Sequence, residues 1–140
     1  MAKSSFRVST KHSGRLRQVR VTVYDDIDEL RRDASSGRWR SLKDAGDTPV
    51  DTLGVCHRTE WQSDGKSLPL CAHIRLHKDH MGVGIVTHEI AHAALFMYEL
   101  DNPERLTTED IEHEEVFCHI LGDLTSRVVS KLYAKGYYTT

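Results

Sequence analysis

Hydrophobic residues recur along this chain with two different periods, and the order of those periods predicts the fold. From Arg17 to Tyr24 the sequence RQVRVTVY places Val19, Val21 and Val23 at every second position, the pattern of a half-buried strand. Asp25 and Asp26 then offer N-capping side chains, and Ile27, Leu30 and Ala34 continue at helical spacing as far as Gly37. Ser41 to Asp51 carries Asp44, Gly46, Asp47 and Pro49 and reads as a loop. Leu53 to His57 and Leu70 to His77 are two short strand candidates, separated by the turn-rich Ser63-Asp64-Gly65-Lys66. In the second of them Ala72, Ile74 and Leu76 face one way, and Cys71, His73, Arg75 and His77 the other. A helix from about Met81 to Leu100 follows, then a turn at Asp101-Asn102-Pro103. A long last helix runs from about Thr108 to Ala134 and stops at Gly136, opening on the N-cap and first-turn signals of Thr108 and Glu112. Strand, helix, two strands and two consecutive helices together predict an α+β fold. Its sheet is expected to be small, twisted and mainly antiparallel, without alternating β and α units.

Composition narrows the class. A chain of 140 residues with 39% hydrophobic and 29% charged residues has room for one domain with a real core and is not disordered in composition. No apolar run approaches the roughly 18 residues needed to span a bilayer, so no membrane partner is expected. The opening MAKSSFRVSTKHSGR lacks the apolar segment of a secretory signal. Three cysteines make no disulfide scaffold, and a reducing, cytoplasmic setting is the expectation. A net charge of −2 argues against a generic nucleic-acid binder. Charge is nonetheless uneven: six basic residues and no acidic one precede Asp25, whereas nine acidic residues and only Arg105 as a base lie between Glu99 and Asp123. Residues 1–16 are therefore expected to form a basic, mobile N-terminal arm, and residues 17–140 a single domain.

The chemistry concentrates in Thr87-His88-Glu89-Ile90-Ala91-His92, within an otherwise apolar helix. Histidines four apart lie on one helical face, one turn from each other, where both imidazoles can hold one Zn²⁺. Glu89, next to the first ligand, is placed to take a proton from a metal-activated water as general base. A catalytic zinc takes a third protein ligand. The metzincin pattern is excluded, because Leu95 and Tyr98 stand where it needs Gly and His. The third ligand is then expected from the last helix, where Glu112, His113, Glu114, Glu115 and His119 crowd together. Glu115 is the candidate, since its helical neighbours Ile111, Cys118 and Gly122 are apolar or small and suggest an inward face.

From about Leu53 to Leu132 the chain resembles the small gluzincin-type zinc metallopeptidases, particularly the compact phage and prophage members called minigluzincins. The resemblance rests on the strand Ala72-His73-Ile74-Arg75-Leu76 feeding the His88–His92 helix, and on Glu115-Val116-Phe117-Cys118-His119-Ile120-Leu121-Gly122, which is similar to the family's glutamate helix. It implies a zincin-like fold, zinc bound by His88, His92 and Glu115, Glu89 as the base, and a protein or peptide substrate paired in extended form on the strand beside the site. One position departs from the pattern: four residues after the ligand Glu, where thermolysin-like members place an orienting Asp, this chain has His119. Either His119 supports the site differently or the orienting group is another residue, such as Asp123.

Several other residues invite a functional reading. His73 and His77 share a strand face and could bind metal or substrate, although a surface pair is the plainer expectation. Cys56, Cys71 and Cys118 read as packing residues. Tyr98, Tyr133, Tyr137 and Tyr138 are candidates for polarising a carbonyl, and Trp39 and Trp61 for bordering a groove. The competing function is a non-catalytic, zinc-containing binding module of phage origin. It would act on a protein partner, or on a nucleic-acid complex through the basic arm.

Overall fold

A computed structural model of the chain describes residues 3–35, 53–59, 62–63, 66–67, 69–102 and 111–138. Three valines at alternate positions build the centre of the sheet. Strand β2 (Arg17–Tyr24) buries Val19, Val21 and Val23 completely on one face. It is flanked by β1 (Lys3–Thr10), antiparallel, and by β6 (Leu70–His77), parallel; β3 (Gly54–Arg58) pairs antiparallel with the far side of β6. The sheet order is thus β1-β2-β6-β3, and a separate two-residue hairpin joins β4 (Gln62–Ser63) to β5 (Lys66–Ser67). The fold is α+β as expected, but the sheet is mixed, because the central β2–β6 pairing is parallel. Its parallel strands are linked by a crossover that includes α1 (Ile27–Ser35), and periodicity within single strands carries no information on such pairing.

The first sixteen residues do not form a mobile arm throughout. Lys3–Thr10 pair with β2 along their whole length, from Lys3 opposite Tyr24 to Thr10 opposite Arg17. The reason is a weak period-2 pattern: Phe6, Val8 and Thr10 share one face, with Val8 and Thr10 buried, while serines and basic residues occupy the other. Two of the basic residues before Asp25 are engaged individually. Lys3 pairs with Asp33 at 3.1 Å, and Arg17 is buried.

Helix α2 (Val83–Asp101) and helix α3 (Ile111–Ala134) cover the valine face. Ala93 and Ala94 of α2 are fully buried, and so small a contact surface lets the helix seat closely on β6 and β3. Ile120, Leu124, Val128 and Leu132 repeat every fourth residue along α3 and join Ile90, Met97 and Tyr98 in one core. The end of α3 follows from Gly136, whose φ of 83° is the left-handed conformation that glycine adopts without strain. The Gly136 N–H donates to the Tyr133 carbonyl and the Tyr137 N–H to the Leu132 carbonyl, each at 3.0 Å, which closes the last turn.

Two polar arrangements fix this framework. At one end, Arg17 Nε donates to both Asp101 carboxylate oxygens at 3.0 and 3.2 Å, Ser13 Oγ donates to the same group, and Asn102 Nδ2 reaches the Ser13 carbonyl. The pair ties the start of β2 to the end of α2 with side chains only 2% and 5% exposed. Arg17→Leu is therefore expected to cost about 3–5 kcal/mol, because it strands a buried carboxylate. Urea denaturation measures this, and a loss below about 1 kcal/mol would rank the pair with ordinary surface pairs. On the sheet face opposite α2, under α1, a second network runs through the alternate positions of β6. Thr22 Oγ1 and His73 Nε2 lie 2.8 Å apart, Arg75 Nε donates to Tyr24 Oη at 3.1 Å, and Tyr24 Oη donates to Asp33 at 2.9 Å.

Candidate metal centre

Residues 83–101 are helical because alanines, leucine and methionine of good propensity carry a long apolar stretch, even though Gly82 offers no side-chain cap. On that helix, His88 and His92 fall on the exposed side while Glu89 turns inward and is buried. The two Nε2 atoms converge to 3.2 Å, with the rings edge to face at 4.7 Å between centroids. Nitrogens bound at roughly 2.0–2.1 Å around a tetrahedral ion sit about 3.3–3.4 Å apart. The observed spacing is close to that, so the pair could hold a metal ion between them. His88, Glu89 and His92 each offer a ligand atom within 4.8 Å of the others, and among the described residues they are the group with metal-binding geometry.

Glu89 owes its position to β3. Gly54 faces it: a Cβ at Gly54 would meet Ile85 Cγ2 at a tight 3.1 Å and Glu89 Cγ at an ordinary 3.6 Å, so the absent side chain lets α2 seat closely on β3 beside Glu89. Burial raises the Glu89 pKa above the ordinary carboxylate value, with the neighbouring His88 opposing the shift. The effect makes Glu89 a stronger base than a solvated carboxylate. Burial also lowers the pKa of His92, with His88 adding to it, which favours the neutral imidazole that a metal requires.

Glu115 is not brought to the histidines. It lies on the exposed side of α3 with its side chain 64% accessible, 3.8 Å from His119. Its neighbours Cys118 and Gly122, read from the sequence as marking an inward face, are themselves exposed. The inward stripe is that of Ile120, Leu124 and Val128, and Glu115 falls outside its spacing. His119 stacks on His12 at 5.8 Å, and Asp123 is held by Arg127 Nε at 3.0 Å. Neither orients a metal histidine in this arrangement. The side chains of Glu112 and His113 lie outside the described residues.

Other sequence candidates separate clearly. His73 and His77 occupy the sheet face opposite α2; His73 is paired with Thr22, and His77 Nδ1 lies 2.8 Å from His80 Nδ1. Tyr98 is buried against Phe117, and Tyr137 Oη meets Ser4 Oγ at 2.8 Å. Cys71 is buried as expected, Cys118 is exposed, and the three cysteines are free. Trp39 and Trp61 lie outside the described residues. Sequence reasoning passed over Arg58, which sits at the end of β3 over the Phe96 ring at 4.5 Å and donates to Glu99 at 3.0 Å. Phe96 in turn lies against His92, at 6.1 Å between ring centroids. The spacing shows only that 88, 92, 96 and 99 form one helical stripe, and Arg58 reaches it from β3.

Comparison with models of protein families, with curated proteins and with solved structures finds no match to this chain. The chemistry of the site therefore carries the functional reading. Among the described residues no helix is long and apolar enough to cross a membrane.

Proposed function

We propose that the chain is a zinc-dependent peptidase of zincin-like design, with His88 and His92 as metal ligands and Glu89 as general base. The observation that supports it most is the convergence of the two Nε2 atoms to 3.2 Å beside a buried carboxylate of raised pKa. Bound there, zinc supplies a Lewis acid that activates water and polarises a scissile carbonyl. Glu89 accepts the proton of the attacking water and passes it to the leaving amine. Both histidines are solvent-facing, which leaves the site open to a polypeptide.

An extended substrate pairs on β3 in this reading. The strand first expected to receive it, β6, has both edges occupied by β2 and β3, whereas β3 ends the sheet among the described residues. Glu115 enters the proposal as the third ligand, and it makes a specific demand: the start of α3 must turn as metal binds, releasing Glu115 from His119. Zinc titration of Glu115→Ala tests that step. The expected affinity loss is at least about tenfold, and unchanged affinity would assign the position to solvent or to another residue.

The experiment for the function as a whole offers a mixture of native and unfolded proteins to the zinc-loaded chain. Cleavage that a chelator abolishes and added zinc restores is expected. Cleavage that persists after confirmed metal removal would reject the proposal.

A further inference from the structure

A histidine bound to a metal commonly donates its second ring nitrogen to a carboxylate or a carbonyl, which sets the plane of the ring. His88 and His92 have no such acceptor among the described residues; their one hydrogen-bond contact there is with each other. His119 and Asp123 are engaged elsewhere, with His12 and Arg127. Both imidazoles are exposed, so packing against the core does not fix them either.

What bears on His92 is a ring. Phe96, one turn further along α2, lies 6.1 Å from it between centroids, with the two planes 31° apart. One turn before His88 stands Gly84, which offers no side chain, so the support comes from one end of the stripe. Phe96 is in turn held from outside the helix. It packs on the core, and Arg58 of β3 lays its guanidinium over the ring at 4.5 Å. Arg58 Nη2 donates to Glu99 at 3.0 Å, which pins the guanidinium to the next turn of α2. A planar guanidinium can stack on an aromatic face and keep a hydrogen bond in its own plane. The contacts thus run without a gap from Glu99 through Arg58 and Phe96 to His92, and from His92 to His88, edge to face at 4.7 Å.

We infer that Arg58 and Phe96 are positioning residues of the metal centre: Phe96 confines the His92 imidazole, and Arg58, anchored by Glu99, holds Phe96 in place. A solvent-exposed side chain loses rotamer freedom when it takes up a ligand, and a ring confined beforehand has less to lose. The inference rests on the reading of His88 and His92 as metal ligands. It ties that pair to β3, the strand on which substrate pairs in the same reading.

Titration of the full chain with zinc alone tests it on a set of variants. Phe96→Ala should weaken zinc binding by about tenfold, the lower end of the loss when a ligand's outer support is removed. Phe96→Tyr keeps the ring and should restore affinity. Arg58→Ala should weaken binding less than Phe96→Ala, and the double variant no more than Phe96→Ala, because Arg58 acts through the ring. Val128→Ala, which truncates a buried residue of α3, should lower the melting temperature and leave zinc affinity unchanged. In the metal-free chain, NMR contacts between the His92 and Phe96 rings are expected, and they should weaken in Arg58→Ala. A lower melting temperature with unchanged zinc affinity in Phe96→Ala would assign the ring to packing alone and overturn the inference. Additive losses in the double variant, or ring contacts indifferent to Arg58→Ala, would overturn it too. Absence of saturable zinc binding by the unaltered chain is a separate failure, which rejects the metal centre and the inference with it.

Discussion

Replacing Glu89 by glutamine is expected to leave zinc bound and to lower hydrolysis by about 10²–10⁴-fold. Glutamine keeps the size of the side chain and its place between α2 and Gly54, so packing is preserved. It cannot accept a proton, and that is the single property the reaction needs from this position. The buried setting sharpens the comparison, because a desolvated carboxylate of raised pKa binds the proton more readily than a solvated one. Metal content and cleavage rate, measured on the same preparation, separate ligand from base. Loss of zinc in Glu89→Gln would make Glu89 a ligand, and hydrolysis at the original rate would remove it from the mechanism. A binding module that only uses the metal structurally would keep its partner affinity in this variant.

Acid is expected to destabilise the fold by several kcal/mol between about pH 6.5 and pH 4, the window set by the buried histidines. Burial, reinforced by the Arg75 guanidinium, lowers His73 to about 3 and His57 to about 4. Both groups are neutral when folded and take up protons near 6.5 when unfolded, so below that pH the unfolded chain binds more protons. Stability is therefore complete above the unfolded value and declines as pH falls toward the folded values. A small domain holds only about 5–15 kcal/mol in total, so this loss brings it close to unfolding. Urea denaturation from pH 7 to pH 4 measures the slope. His73→Gln, which retains a side-chain partner for Thr22, should flatten it, and a pH-independent wild-type stability across this range would contradict the account.

How much was legible in the sequence varied with the physical signal. β2, α2 and α3 could be placed from their periodicities, and the division of β6 into an apolar and a polar face holds from Ala72 to His77, whereas Cys71, expected on the polar face, sits at a register irregularity and joins the apolar core. β1 was missed: serines and threonine replace apolar residues in Lys3–Thr10, so its alternation is weak, and its burial depends on α3 arriving from the far end of the chain. Parallel pairing of β2 with β6 has no local trace. At the site, the four-residue histidine spacing foretold the convergence of the two imidazoles, since a helix alone determines it. Glu115 depends on how one helix is rotated against another, and small neighbours proved a poor guide because Cys118 and Gly122 line the outer face. Arg58 required knowing that β3 borders α2.

Zinc titration of the full chain, with parallel titrations of His88→Ala and His92→Ala, tests the central claim most directly. The account predicts one zinc per chain, with affinity reduced by orders of magnitude in either variant while the fold is retained, both side chains being solvent-facing. Zinc bound equally well after loss of both histidines, or no saturable zinc binding by the unaltered chain, would contradict it.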